Sequence, residues 1–189
     1  MMNKIEAIWL PEVQQQVFRG LMEVMSRPGK IINLAVLSDN ASPARALLAT
    51  LLDAEVNLCD HHALLDESDW PLLQTEKVAV EHARYILCRG ESTIDFEPML
   101  GELSSPEHSA TIVLVVENLS EGSNHLSLRG PGVKSEISVK IAGLNRDWLT
   151  QREQWISSFP LGVDLLLVDD SQLMALPRTT KIEVTSWDM

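Results

Sequence analysis

At 189 residues the chain exceeds what one globular core needs and falls short of the length at which a split is expected, so one domain over residues 1–189 is the expectation. Hydrophobic residues at 45% and charged residues at 22% exclude a disordered or fibrous chain. With 15 Lys plus Arg against 27 Asp plus Glu, the formal net charge of -12 argues against nucleic acid or an anionic membrane as partner, and no basic run offsets it.

The N-terminus MMNKIEAIWLPEVQQQ reaches Glu12 and three glutamines too soon for a secretory segment, and no window supplies the ~20 apolar residues of a membrane span. A cytoplasmic protein is the expectation. From Pro11, a first-turn proline, Val13, Val17, Leu21 and Val24 recur at helical spacing, and Phe18, Met22 and Met25 widen that buried stripe. Arg27-Pro28-Gly29 stops the helix, because a proline restricts the residue before it and glycine takes the turn. The segment IINLAVL (31–37) predicts a strand. Ser42-Pro43 then opens a helix over ARALLATLLDAE (44–55), with Leu47, Leu48, Leu51 and Leu52 on its inner face.

VNLCD (56–60) is a short candidate strand, and DESDWPLL (66–73) a turn or ragged helix. Residues 76–82 fit either a helix or an alternating strand, ARYILC (83–88) a strand, and residues 92–103 a short helix around Ile94, Phe96, Met99 and Leu100. ATIVLVVEN (110–118) has the unbroken apolar run of a strand covered on both faces. Leu126 and Leu128, then Ile137, Val139 and Ile141, alternate with polar residues as half-buried strands do, and RGPG between them supports a reversal. Asn145 caps a helix that runs to Trp155 and carries Trp148, Leu149, Arg152, Trp155 and Ile156 on neighbouring faces. VDLLLVDD (163–170) and LMALPRT (173–179) predict a hairpin closed at DDSQ, where Asp serves local backbone bonds. The alternation of helices with buried strands predicts an α/β fold around a covered mixed sheet.

Candidate chemistry is sparse. RGPGVK offers Arg129, two glycines and Lys134, but Pro131 removes a donor, so it reads as a hairpin loop or as an anion site. Cys59, Asp60, His61 and His62 are donor types for zinc or iron, yet adjacent histidines diverge and further ligands would have to come from afar. Cys88 reads as a small buried apolar group. Arg178 is the strongest single oxyanion candidate, since guanidinium presents a planar set of donors; the alternative is pairing with one of the many carboxylates.

Four ordered blocks, QQVFRGLMEVMSRPG, LSLRGPGV, FPLGVDLLLV and ALPRTTKIEV, span Gln15 to Val184 and resemble the H-subunit family of the bacterial carbon-phosphorus lyase system. The resemblance implies a role in phosphonate utilisation, as a noncatalytic subunit in transfer of the ribosyl triphosphate moiety of ATP to a phosphonate with release of adenine. It implies a three-layer α/β/α fold with a mixed sheet, like a reduced large domain of a pyridoxal-phosphate-dependent transferase without the cofactor site. It also implies a homodimer that joins the G, I and J subunits, with no cofactor and no metal. Residue by residue it marks Phe18, Arg19, Met25, Pro28 and Gly29; Arg129, Gly130 and Gly132; Phe159, Pro160, Leu161, Gly162 and Asp164; and Pro177, Arg178, Thr179 and Thr180. Arg27, Pro28, Gly29, Arg129, Gly130, Gly132 and the Pro177–Thr180 step are thus candidate ligand or interface residues, the alternative being an enzyme half-site that binds a nucleotide or ribosyl phosphonate through Arg129 or Arg178. The tryptophans at 9, 70, 148, 155 and 187 offer interface anchors beyond those a small core uses.

Overall fold

The computed structural model describes residues 6–36, 38, 41–122 and 124–186; Trp187 lies outside them. In chain order the elements are α1 (Pro11–Ser26), β1 (Ile31–Asn33), α2 (Pro43–Leu51), β2 (Asn57–Asp60), α3 (Trp70–Leu73), β3 (Glu76–Lys77), β4 (Tyr85–Arg89), β5 (Thr111–Val115), β6 (Asn124–Arg129), β7 (Ile137–Ile141), α4 (Arg146–Trp155), β8 (Asp164–Val168), β9 (Gln172–Leu176) and β10 (Lys181–Ser186). Single 3-10 turns cover Ala7–Trp9, Val80–His82 and Pro106–His108.

A seven-stranded sheet runs β1-β9-β8-β5-β4-β2-β3, and a three-stranded sheet runs β10-β6-β7. In the large sheet β3, β2, β4, β5 and β8 are parallel, whereas β9 returns antiparallel on β8 and β1 antiparallel on β9. The period of two sorts its side chains cleanly. Ile86, Cys88, Ile112, Leu114, Leu165, Leu167, Met174 and Leu176 join one core cluster, with α4 and the inner face of the small sheet. Their neighbours Leu87, Val113, Leu166, Val168, Leu173 and Ala175 join the other, with α1 and α2. One outer layer is therefore helical, while the opposite one combines α4 with the antiparallel sheet.

Several expectations give way. Phe18 and Met22 are 47% and 53% exposed, so the buried stripe of α1 is the narrower one of Val17, Leu21 and Val24. The 31–37 strand stops at Asn33, whose side chain accepts from the Val36 amide and turns the chain. The second helix ends at Leu51, short of Glu55. Its Ser42 makes no side-chain cap, leaving Pro43 as the start signal. Residues 76–82 split into the two-residue β3 and a 3-10 turn.

No helix forms over 92–103; the chain there is irregular, and Ile94, Phe96, Met99 and Leu100 pack on the core from a loop. The loop is held by tertiary bonds, with Leu100 O accepting from the Gly162 amide and Met99 O from the Ala110 amide. The 173–179 strand ends at Leu176, and the chain beyond it leaves the large sheet to pair β10 with β6. The β8–β9 hairpin, the β6–β7 reversal and the Asn145 cap, which accepts from the Asp147 amide at 2.9 Å, match expectation.

Candidate functional site

Three of the marked blocks, far apart in the chain, meet at one junction. A β-carbon on Gly132, whose φ is 80°, would fall 2.1 Å from the Ser26 carbonyl oxygen and 3.0 Å from Pro28, so only glycine lets the β6–β7 loop close onto the end of α1. One on Gly130 would fall 2.8 Å from the Thr179 carbonyl oxygen, which ties the same loop to the step between β9 and β10. Gly29 sits against Leu128, Ile137 and Val139 of the small sheet. Pro28, Pro177 and Thr180 are buried, and Thr179 is exposed.

Two arginines fix the Pro177–Thr180 step from within. Arg178 carries five N–H donors, and all of them find protein acceptors. Its Nη2 donates to Asp164 Oδ2 and to Ser109 Oγ, both at 2.6 Å. Nη1 donates to Pro160 O at 3.2 Å and Pro106 O at 3.4 Å, and Nε faces the Asp164 carboxylate. The Arg178 amide donates to Asp164 Oδ1 at 2.7 Å, so one carboxylate grips both backbone and side chain. The side chains of the pair are only 16% and 17% exposed. Arg178 is thus the paired arginine that the acidity of the chain allows for, in an intramolecular network joining the FPLGVD and PRTT blocks.

Arg152 of α4 is wholly buried and donates through Nη2 to Pro177 O at 2.6 Å and Thr180 O at 2.9 Å. Burial lowers its pKa from the ordinary arginine value, against the opposing pull of Glu153 and Asp164. Its importance was readable as an anomaly: position 152 lies one turn from Trp148 and Leu149, on the apolar face, where a charge demands internal acceptors.

The other marked cations lie at the surface. Arg27 pairs with Glu23 at 3.1 Å, and Lys30 reaches the same carboxylate at 2.6 Å. Those contacts, Lys30 first, hold the Glu23 carboxyl below its usual range. Arg129 pairs with Glu136, whose pKa is lowered by hydrogen bonds from Ser127 and then Arg129. Phe18 and Met22, one turn apart on α1, and Ile137 of β7 are exposed apolar groups. Of the tryptophans, Trp148 and Trp155 are core, while Trp9 and Trp70 are partly covered by the helical layer. The exposed apolar anchors are therefore not tryptophans but Phe18 and Met22 of α1 and Ile137, with Val36, Leu72, Leu103 and the marked Phe159 also exposed.

At the end of β2, His61 and His62 diverge with rings 4.8 Å apart and nearly perpendicular. His61 Nε2 lies 2.8 Å from Asp95 Oδ1, and His62 Nδ1 accepts from the Arg89 amide at 3.2 Å. Burial, then His61 and Arg89, lowers the His62 pKa. Among the described residues no three His, Cys, Asp or Glu side chains gather as metal ligands. Cys59 and Cys88 are free and buried, and desolvation raises both thiols. Asp169 accepts from the Ser171, Gln172 and Leu119 amides, the turn role expected of it. No described helix is long and apolar enough to cross a membrane.

The chain matches the family model described as "Bacterial phosphonate metabolism protein (PhnH)" over residues 8–183. It is 39% identical over 178 residues to the "Putative C-P lyase subunit protein HtxG" of Stutzerimonas stutzeri, covering 94% of this chain and 89% of that one. It is 33% identical over 186 residues to the "Alpha-D-ribose 1-methylphosphonate 5-triphosphate synthase subunit PhnH" of Rhizobium meliloti (strain 1021), covering 89% of this chain and 90% of that one. With nearly all the described fold inside the match, and the three-loop junction among the residues matched, the chain belongs to the PhnH family of bacterial phosphonate metabolism proteins.

Proposed function

We propose that the chain serves as a noncatalytic structural subunit of the carbon-phosphorus lyase core complex, required for phosphonate utilisation and for moving the ribosyl triphosphate moiety of ATP onto a phosphonate as adenine leaves. The observation that carries this reading is how the marked blocks are used. Their glycines and prolines close backbone onto backbone, Arg178 spends its donors inside the molecule, and Arg27 and Arg129 are left exposed, as are the apolar Phe18, Met22 and Ile137. Exposed apolar groups ringed by charge are what subunit interfaces are made of. The partners are a second copy and the G, I and J subunits, in the cytoplasm. The mixed sheet is consistent with one domain derived from the large domain of a pyridoxal-phosphate-dependent transferase, without its cofactor.

Co-purification of the tagged chain with cognate G, I and J subunits tests the assignment, with a stable assembly expected. Failure to associate would sink the subunit role, and a monomer mass at micromolar concentration would separately sink the dimer.

A further inference from the structure

Away from the junction, a cavity of about 410 Å³ opens at the N-terminal ends of β2 and β4, lined by Glu55, Val56, Asn57, Arg84, Met99 and His108. Arg84 sets its character. One nitrogen, Nη1, donates to Ser109 O at 2.6 Å and fixes the guanidinium, while its backbone amide donates to Asn57 Oδ1, also at 2.6 Å. Among the described residues the Arg84 side chain has no further hydrogen bond and no ion pair, although the chain carries a formal net charge of -12. Its Nε and Nη2 remain as donors on a side chain held by its other end. The Asn57 side-chain amide and the His108 ring line the same space, and Val56 and Met99 supply an apolar wall.

We infer that this cleft binds an oxyanion borne on a small organic body, such as an organophosphonate or phosphate ester. The anion sits on the free edge of Arg84 with His108, and the organic part lies against Met99 and Val56. A half-buried guanidinium gives planar, charge-assisted donors suited to such a group. The cavity is larger than a bare oxyanion fills and is in the size range of small-ligand sites. Glu55, exposed at the rim, disfavours an anion at its own end, so the charged group lies at the Arg84 end. Ser109 gives Arg178 a part in this site without contact. The Ser109 carbonyl holds Arg84 and its hydroxyl accepts from Arg178, which also binds Pro106 O, so Arg178 is a positioning residue for the turn that carries His108.

Phosphorus-31 NMR titration of the isolated chain with inorganic phosphate and with phenylphosphonate tests the site independently of complex assembly. Saturable binding of both is expected, tighter for phenylphosphonate. Arg84→Gln, which retains a donor for Ser109 O, should weaken phenylphosphonate about tenfold or more. His108→Glu, at an exposed position, should weaken it comparably by placing a negative charge at the mouth, and Arg129→Gln should leave it unchanged. Absence of saturable binding by the wild type, or undiminished binding by Arg84→Gln and His108→Glu, would overturn the site. Equal affinity for the two probes would overturn the organic part of the ligand. A failed co-purification with intact titration, or the reverse, separates this inference from the subunit role.

Discussion

Arg178 and Arg152 on one side, and Arg27 and Arg129 on the other, are the same chemical group put to opposite uses a short distance apart. The first two are withdrawn from solvent and hold carbonyls and a carboxylate that join α4, β8 and the β9–β10 step. The second two stand more than half exposed, each paired with a nearby glutamate. A buried donor that loses its acceptor costs the full desolvation of the group left behind, whereas an exposed pair exchanges one partner for water. The inner pair therefore sets folding, and the outer pair is free to set association.

The largest expected effect lies at Arg152. Arg152→Ala strands the Pro177 and Thr180 carbonyls in the core and opens a void, which should cost about 3–5 kcal/mol by urea unfolding. Arg152→Met fills the space and removes the buried charge, so its loss should be smaller. Equal losses would show that the carbonyl contacts, rather than packing, are what Arg152 supplies.

Arg178→Ala should follow, at about 2–4 kcal/mol, because Asp164 is left largely buried without its cation. If instead the variant unfolds like wild type, the distinction between inner and outer arginines fails at its clearest point. Gly132→Ala should cost about 1–3 kcal/mol, from the positive φ and the collision with Ser26 O, read as a lowered thermal midpoint. Full retention of stability there would mean that the β6–β7 loop closes less tightly on α1.

Much of this was legible in the chain. Apolar runs located β5, β8 and β9, and period-two alternation located β6 and β7, because burial on both faces or on one leaves direct marks on residue order. The four blocks also pointed to residues that the fold brings together. What the order of residues did not carry was the direction of each arginine. Arg178 follows a proline at a strand end and Arg129 precedes a glycine at another, so their local sequences look alike. Asp164 and Ser109, which decide the environment of Arg178, lie 14 and 69 positions away. The loop over 92–103 has helix-compatible apolar spacing but is held by Gly162 and Ala110, contacts that appear only once the sheet is assembled. On α1, Phe18 and Met22 share helical spacing with the buried stripe and still face outward, since spacing gives a face without saying what covers it.

The smallest effect on folding and the sharpest test of the outer pair come from Arg27→Ala and Arg129→Ala. Both side chains are exposed, at 64% and 58%, and their glutamate partners become hydrated when the pair is lost. Thermal unfolding of either variant should match wild type within error. Association is a different matter, because a rim charge that meets an oppositely charged partner steers encounter and fixes register, and its loss appears in the on-rate and in the salt dependence. Binding of the other core subunits should therefore weaken in both variants, and weaken less at high salt, where wild-type binding is itself screened. Met22→Asp on the exposed apolar side of α1 should reduce association at every salt concentration, since an apolar anchor is insensitive to screening. Arg27 and Arg129 variants that assemble normally, beside a Met22 variant that does not, would confine the interface to α1 and leave the two arginines as solvated surface.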